Sequence, residues 1–369
     1  MWLYLSLMMI LAFTSLQNKN SKKQCALFLC VFTIIMGFKS INVGNDTPSY
    51  VELYNRLHNM SSFTDPSSRF EVGYQIYNKI IGMIWDDYQA LFIITAIICI
   101  GCIGYGIMNL SQNWQYSLFL FIGLRFYYFF LSGIRQSMAV SIIIVAYVFL
   151  KRRKNILFIM LVLLAMTFHF SAVIFFFALP LSYMKFDSKS IIKVLFGVIV
   201  VYVFFGPLLS LVLSHLPSYY SHYMLTEASS ANNLSDFIHA IIPCLFLLLA
   251  YILNYNSVID ESHIPNQNQT RELLVYHRDG EVQLLFLLVA AGLSLVSTRA
   301  SIIDRMVQYY WIFSIISVSN MISSIKNQRN RVEWLLLITF CVIVYNVALL
   351  LLRPEWNAIV PYEFFWSDR

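Results

Sequence analysis

The sequence predicts an all-α polytopic integral membrane protein with about 11–12 transmembrane helices, and three observations carry that prediction. Hydrophobic residues make up 59% of the 369-residue chain and charged residues 12%, with a mean hydropathy of +0.67. A soluble domain is nearer half apolar and a quarter charged. Most apolar residues fall in blocks long enough to cross a hydrocarbon layer of ~30 Å as helices, and alternating strand-like segments of ~10 residues, the mark of a β-barrel, are missing. Basic residues gather in short clusters between the blocks, where a cytoplasmic face would hold them. The net charge of +6 is therefore no nucleic-acid signature.

Each element follows from the apolar runs and their markers. A first helix is expected near 2–16; it has no positive n-region and no small-residue cleavage site, so it reads as a membrane helix rather than a signal peptide. After QNKNSKK a second runs near 25–38, and a long polar loop, 39–87, separates it from a third near 88–108. Further helices are expected near 115–132, 136–150, 191–212, 238–254, 282–297, 306–323 and 333–352. The segment 213–237 reads as a second outer loop and 255–281 as a cytoplasmic loop, all within one membrane domain, 1–369. If NKNSKK is cytoplasmic, then KRRK (151–154), Lys185, Lys189, Lys193 and KNQRNR (326–331) fall on the same side. Between KRRK and Lys185 lies an apolar stretch of about 29 residues, ~43 Å as one helix and too long for one untilted crossing. Its ends carry the same sign, so a short helical hairpin over 155–185, turning near His169, is expected. The six cysteines lie within apolar runs, where packing is the simpler role, and Cys99-x-x-Cys102 is a weak redox signal.

This layout gives the outer face the 39–87 loop, Arg135, His169, Arg299, Asp304 and Arg305. Arginines there run against the usual charge bias, and attraction to an anionic ligand would explain them. In the loop, Thr47-Pro48 reads as a helix start, and Tyr50, Leu53, Tyr54 and Leu57 form an apolar stripe. Tyr74, Tyr77, Ile81 and Ile84 form a second, so both segments read as amphipathic helices in the membrane interface. Asp46 and Glu71 stand at their starts, either capping them or orienting a sugar hydroxyl and taking its proton. Arg135, beside Gln136, either anchors a helix end by snorkelling or grips phosphate with its guanidinium fork. Arg305 and Tyr309 share a helix face at i, i+4. His169 is either a packing histidine or a general base. The chain has no G-x-S-x-G elbow, H-E-x-x-H, P-loop or DxD motif, which disfavours a metal-dependent, nucleotide-using site.

Several of these residues lie in motifs: NVGNDTPSY (42–50) with Glu71-x-Gly73-Tyr74 behind it, SGIRQSMA (132–139), LLAMTFHFSAV (163–173), Asp304-Arg305-x-x-x-Tyr309 and VPYEFF (360–365). In order and spacing the chain resembles the EpsG/Wzy-type polysaccharide polymerases, most strongly over residues 30–185. It departs in one place: such loops often carry an arginine shortly before the Gly-x-Asp, and here Lys39 is the nearest basic residue. The resemblance implies a fold similar to multi-helix membrane glycosyltransferases and an enzyme of the bacterial inner membrane. Such an enzyme joins undecaprenyl-pyrophosphate-linked repeat units on the outer face, making O-antigen, capsule or exopolysaccharide without metal or cofactor. Carried over, it implies Arg135, Arg299 and Arg305 on the pyrophosphate, His169 or Asp46 activating the acceptor hydroxyl, and Glu71, Gln136, Tyr50 and Tyr309 against sugar or lipid. Tyr127 and Tyr128 would offer stacking surfaces. A chain-length regulator and a flippase of the same pathway would be its partners, with no nucleic acid. A lipid-linked oligosaccharide flippase would also carry outward arginines, although no internal repeat of comparable halves is visible. An O-antigen ligase would share the arginine–histidine chemistry.

Overall fold

Apolar side chains on all sides of a segment, with no water to pair its backbone, leave the α-helix as the form that satisfies every peptide group internally. The computed structural model is helical accordingly, and the protein is an all-α polytopic membrane protein. The structure describes residues 1–17, 21–214, 233–253, 255 and 267–368. In chain order the helices are α1 (Trp2–Gln17), α2 (Lys22–Gly37), α3 (Thr47–Asn59), α4 (Val72–Gly82), α5 (Gln89–Leu110), α6 (Trp114–Gly123), α7 (Phe126–Ser132), α8 (Ile134–Lys151) and α9 (Asn155–Phe168). They continue with α10 (Ala178–Leu181), α11 (Ser188–Val203), α12 (Phe205–Ser214), α13 (Asn233–Ile252), α14 (Gln267–Ser297), α15 (Asp304–Trp311), α16 (Ser314–Ser323) and α17 (Gln328–Leu352). Among the described residues, four stretches are long and apolar enough to cross a membrane: Gln89–Leu110, Ile134–Lys151, Asp279–Ser297 and Gln328–Leu352. Trp2–Gln17, Asn155–Phe168, Phe170–Leu181 and Ala240–Ile252 are shorter apolar helices.

Helix α17 shows why such a sequence spans lipid. Asn327 caps it by accepting from the backbone N–H groups of Arg329 and Asn330. Leu335, Ile338, Thr339, Val342, Asn346 and Leu350 recur at helical spacing and are buried, while Leu336, Leu337, Phe340 and Val344 remain exposed to the bilayer.

The chain divides into two compact units. The first holds Met1–Val148, Leu157–Phe170 and Ile325–Arg369; the second holds Phe149–Ile156 and Ser171–Ser324. In the first, α3 and α4 bury Tyr50, Leu53, Tyr54, Leu57, Tyr74 and Ile81, whereas Ile84 lies beyond the end of α4 and is exposed. Lys79 joins the two helices by donating to the carbonyls of Leu57 at 2.9 Å and Met60 at 2.5 Å.

The expected helix 115–132 is broken. Helix α6 stops at Gly123, Arg125 adopts a left-handed backbone with φ 70°, and α7 restarts at Phe126. The break is tolerated because Asn346 of α17 donates to the carbonyls of Ile122 and Gly123, both at 3.2 Å, and the Arg125 N–H also donates to Ile122 O at 2.8 Å. Helix 306–323 is likewise interrupted after Trp311, and 191–212 after Val203. A segment following α17 returns to the loop after α2: Lys39 bridges Phe364, Ser40 N–H donates to Glu363 O, and Gly44 N–H donates to Ala358 O, both at 2.9 Å.

In the second unit the two ends of the 153–182 stretch meet, with Arg153 donating to the Ser182 hydroxyl at 3.2 Å and its carbonyl at 3.1 Å. Lys151 pairs with Asp279 at 2.7 Å. Helix α14 begins at Gln267, so the 267–281 part of the segment read as a cytoplasmic loop is helical. Most of the 213–237 segment and residues 256–266 lie outside the described residues.

Candidate functional site

The glycine at 133 ends α7 and lets α8 restart one residue later, which puts Arg135 in the first turn of α8. Helix α9 stops at Phe168, so His169 leaves the helical register and turns its ring aside. Glu71 stands at the N-cap of α4 in an extended conformation but makes no side-chain cap bond. Its carboxylate is used elsewhere. One oxygen, Oε2, accepts from Arg135 Nη1, and the other, Oε1, lies 3.0 Å from His169 Nδ1 and accepts from the Phe170 N–H at 3.3 Å. Residues 64 and 98 positions away thus converge on one carboxylate. A cation in the first turn of a helix opposes the helix dipole, and this carboxylate from another element offsets it.

All three side chains are largely buried. Burial would raise the Glu71 carboxyl; the His169 hydrogen bond and the Arg135 charge outweigh it and hold the group at about 2, against an ordinary 4.5. An ionised carboxylate only accepts, so Nδ1 of His169 carries the proton in this pairing and Nε2 is the basic nitrogen of the neutral ring. Arg135 lies 4.6 Å from the Phe70 ring centre, and its Nε is buried with no hydrogen-bond partner. Tyr50, Phe70 and Tyr74 form an aromatic wall with centroids 5.7–6.0 Å apart. Burial pushes the Tyr50 phenol up to about 12 against the opposing charge of Arg135, so it stays protonated.

The spacing of α4 and α9 is set by a glycine. A β-carbon at Gly73 would fall 2.5 Å from the Thr167 Cβ and hydroxyl and 2.7 Å from its carbonyl. Only the missing side chain lets the Glu71 end of α4 come this close to the His169 end of α9.

The other candidates fall elsewhere. Asp46 is exposed at the start of α3 and caps nothing with its side chain. Thr47 is the first residue of α3 rather than its cap, and its hydroxyl donates to Val43 O at 2.6 Å. Gln136 is buried beside Arg135 in α8, and Tyr127 and Tyr128 are fully buried in α7, with hydroxyls donating to Phe32 O and Asn346 Oδ1. Buried so, neither offers an open stacking surface. Arg299, Arg305 and Tyr309 belong to the second unit. There Arg299 is exposed with its guanidinium 4.4 Å from the Tyr202 ring centre, Arg305 is half-buried, and the buried Tyr309 hydroxyl lies 3.1 Å from Ser171 Oγ.

The role of Lys39 was not visible in sequence. Its ammonium is fully buried and donates to Val43 O at 2.8 Å, Thr47 Oγ1 at 2.5 Å and Leu131 O at 2.6 Å. Three acceptors match its three N–H donors. It ties the 42–47 loop to the end of α7. An ammonium so engaged is not presented to an anion. The one sequence signal was its place at the end of an apolar run. Among the described residues, no group of three or more His, Cys, Asp or Glu side chains is assembled for a metal ion.

In comparisons with known proteins, a model of the EpsG family matches residues 22–364. No curated protein and no solved structure matches the chain.

Proposed function

The chain belongs to the EpsG family, whose members are polysaccharide polymerases, and from that premise we propose that it joins lipid-linked oligosaccharide repeat units into a longer glycan at the outer face of the bacterial inner membrane. The observation that carries this reading is the convergence of Arg135 and His169 on Glu71, three motif residues from three separate segments. A carboxylate bound to one imidazole nitrogen while the other faces a hydroxyl is the arrangement of a general base. In the proposed step, His169 Nε2 takes the proton of the acceptor hydroxyl as its oxygen bonds to the anomeric carbon of the donor glycan. The bond to the undecaprenyl pyrophosphate breaks, and the lipid pyrophosphate leaves with the electron pair. Glu71 holds the ring and stabilises the imidazolium. Arg135 keeps Glu71 ionised and retains N–H donors for phosphate oxygens.

Arg299 and Arg305 are the further candidates for the pyrophosphate, and Tyr50, Gln136 and Tyr309 for the sugar or lipid. Asp46 is the second candidate base. The reaction needs no nucleotide sugar because the donor is already lipid-activated, and the missing DxD motif favours a metal-free mechanism. A chain-length regulator and a flippase would act beside it.

Purified protein with defined undecaprenyl-pyrophosphate-linked repeat units should yield polymer, with and without a chelator. Loss of polymer with chelator would overturn the metal-free mechanism. A deletion strain should keep surface lipid bearing a single repeat unit. A flippase or a ligase would leave none.

A further inference from the structure

Arg125 is a further buried cation in the first unit, and it is provided for differently from the others. Arg135 has the Glu71 carboxylate, Lys39 has three oxygens, and Lys79 has the carbonyls of Leu57, His58 and Met60. Arg125 is 8% exposed, and its Nη2 donates to Asn357 Oδ1 at 3.0 Å. Its guanidinium lies 5.3 Å from the Tyr128 ring centre, and Nη1 is buried with no hydrogen-bond partner. Among the described residues, no carboxylate pairs with it. Neighbouring polar groups are already engaged: Asn346 accepts from Tyr128 and donates to the carbonyls of the helix break.

A buried charge with no counter-charge is strongly destabilising. Here it sits on a residue whose left-handed backbone, φ 70°, is itself unfavourable for a side chain other than glycine. Two costs on one residue, at the one place where α6 and α7 part, point to a ligand that offsets them. The ligand must be anionic and must present oxygens to a planar fork backed by an aromatic ring, which is how guanidinium takes phosphate. Arg125 joins two predominantly apolar helices of a membrane protein, a setting that a phosphate carried on a lipid reaches more readily than a free anion.

We propose that Arg125, with Asn357, binds the phosphate group of a membrane lipid. Two sources share that chemistry: the polyprenyl pyrophosphate of the substrate or product, and a resident glycerophospholipid. The first source rests on the polymerase reading; the second does not.

The test uses delipidated, purified full-length protein titrated with undecaprenyl pyrophosphate, phosphatidylglycerol or uncharged diacylglycerol, with bound lipid read by native mass spectrometry. Arg125→Gly suits the left-handed backbone and removes the charge. It should weaken the phosphate-bearing lipid by about tenfold or more and leave diacylglycerol unchanged. Asn357→Asp places a carboxylate beside the guanidinium, and should raise the melting temperature while abolishing phosphate-lipid binding. A purely structural Arg125 would give the first effect without the second. Loss confined to undecaprenyl pyrophosphate assigns the substrate, and loss confined to phosphatidylglycerol assigns a resident lipid; either supports the proposal. Unchanged binding of both lipids in Arg125→Gly, or retained binding in Asn357→Asp, overturns it. His169→Ala serves as the control: it should bind these lipids normally while slowing polymer formation, so failure at Arg125 is distinguishable from failure of the polymerase reading.

Discussion

At the scale of the residue, Glu71 serves two cations at once, and its loss is not equivalent to the loss of either partner. Glu71→Ala leaves Arg135 buried without a counter-charge, a change that costs about 3–5 kcal/mol in comparable buried pairs. Thermal denaturation of the purified protein should show that loss, and adding Arg135→Gln should recover much of it without restoring polymer. The pH dependence has a defined sign. The Glu71 carboxyl is held at about 2 in the fold against 4.5 ordinarily, so its contribution is complete above pH 4.5 and disappears as the pH falls towards 2. Melting curves between pH 2 and 6 should show this acid limb in the native protein and lack it in Glu71→Gln. His169→Ala should lower the melting temperature by removing a hydrogen bond to the buried carboxylate, and slow polymer formation by about 10²–10⁴-fold, the usual worth of a general base. A mild effect on rate would return His169 to a packing role. The sequence made Glu71, Arg135 and His169 candidates one by one. It did not show that one carboxylate joins them, because pairings over 64 and 98 positions depend on how the helices pack.

At the scale of the element, breaks decide where these side chains stand. The apolar pattern marks the long runs well, since hydropathy and helical period are local properties. It does not mark interruptions whose cause lies on another helix. The stop after Gly123 is stabilised by Asn346, more than 200 positions away, so 115–132 reads as one helix from its own residues. Asn346→Leu should strand the Gly123 carbonyl and the Tyr128 hydroxyl, lowering the melting temperature by more than a surface substitution does. The contact of Gly73 with Thr167 is a second case. Gly73→Ala should force α4 and α9 apart, costing about 1–3 kcal/mol in overpacking. Its effect on polymer formation should fall on kcat more than on KM, because Glu71 and His169 separate while the lipid contacts persist. Equal loss in both would argue against a positioning role.

At the scale of the whole molecule, composition was sufficient for the class: a chain 59% hydrophobic and 12% charged has too little polar surface for water and enough for a bilayer. Spans were less legible, because helices such as Trp2–Gln17 are shorter than a crossing, and others, such as α6 and α7, are separated by a break rather than by a polar loop. The segment that returns to the 39–45 loop has a bearing on biosynthesis. Asn45 donates to the carbonyls of Glu355 and Trp356, partners more than 300 positions downstream, and Gly44 and Ser40 bond to residues equally far away. The ribosome makes that loop early and these partners late, so throughout elongation the Ser40 and Gly44 N–H groups and the Asn45 side-chain amide have only water or the translocation machinery to bind. A nascent chain stopped before Glu355 should be inserted yet cleavable by protease within 39–47, and it should become resistant once synthesis passes Phe364. The protein would then acquire its finished 39–45 surface only after translation has passed α17.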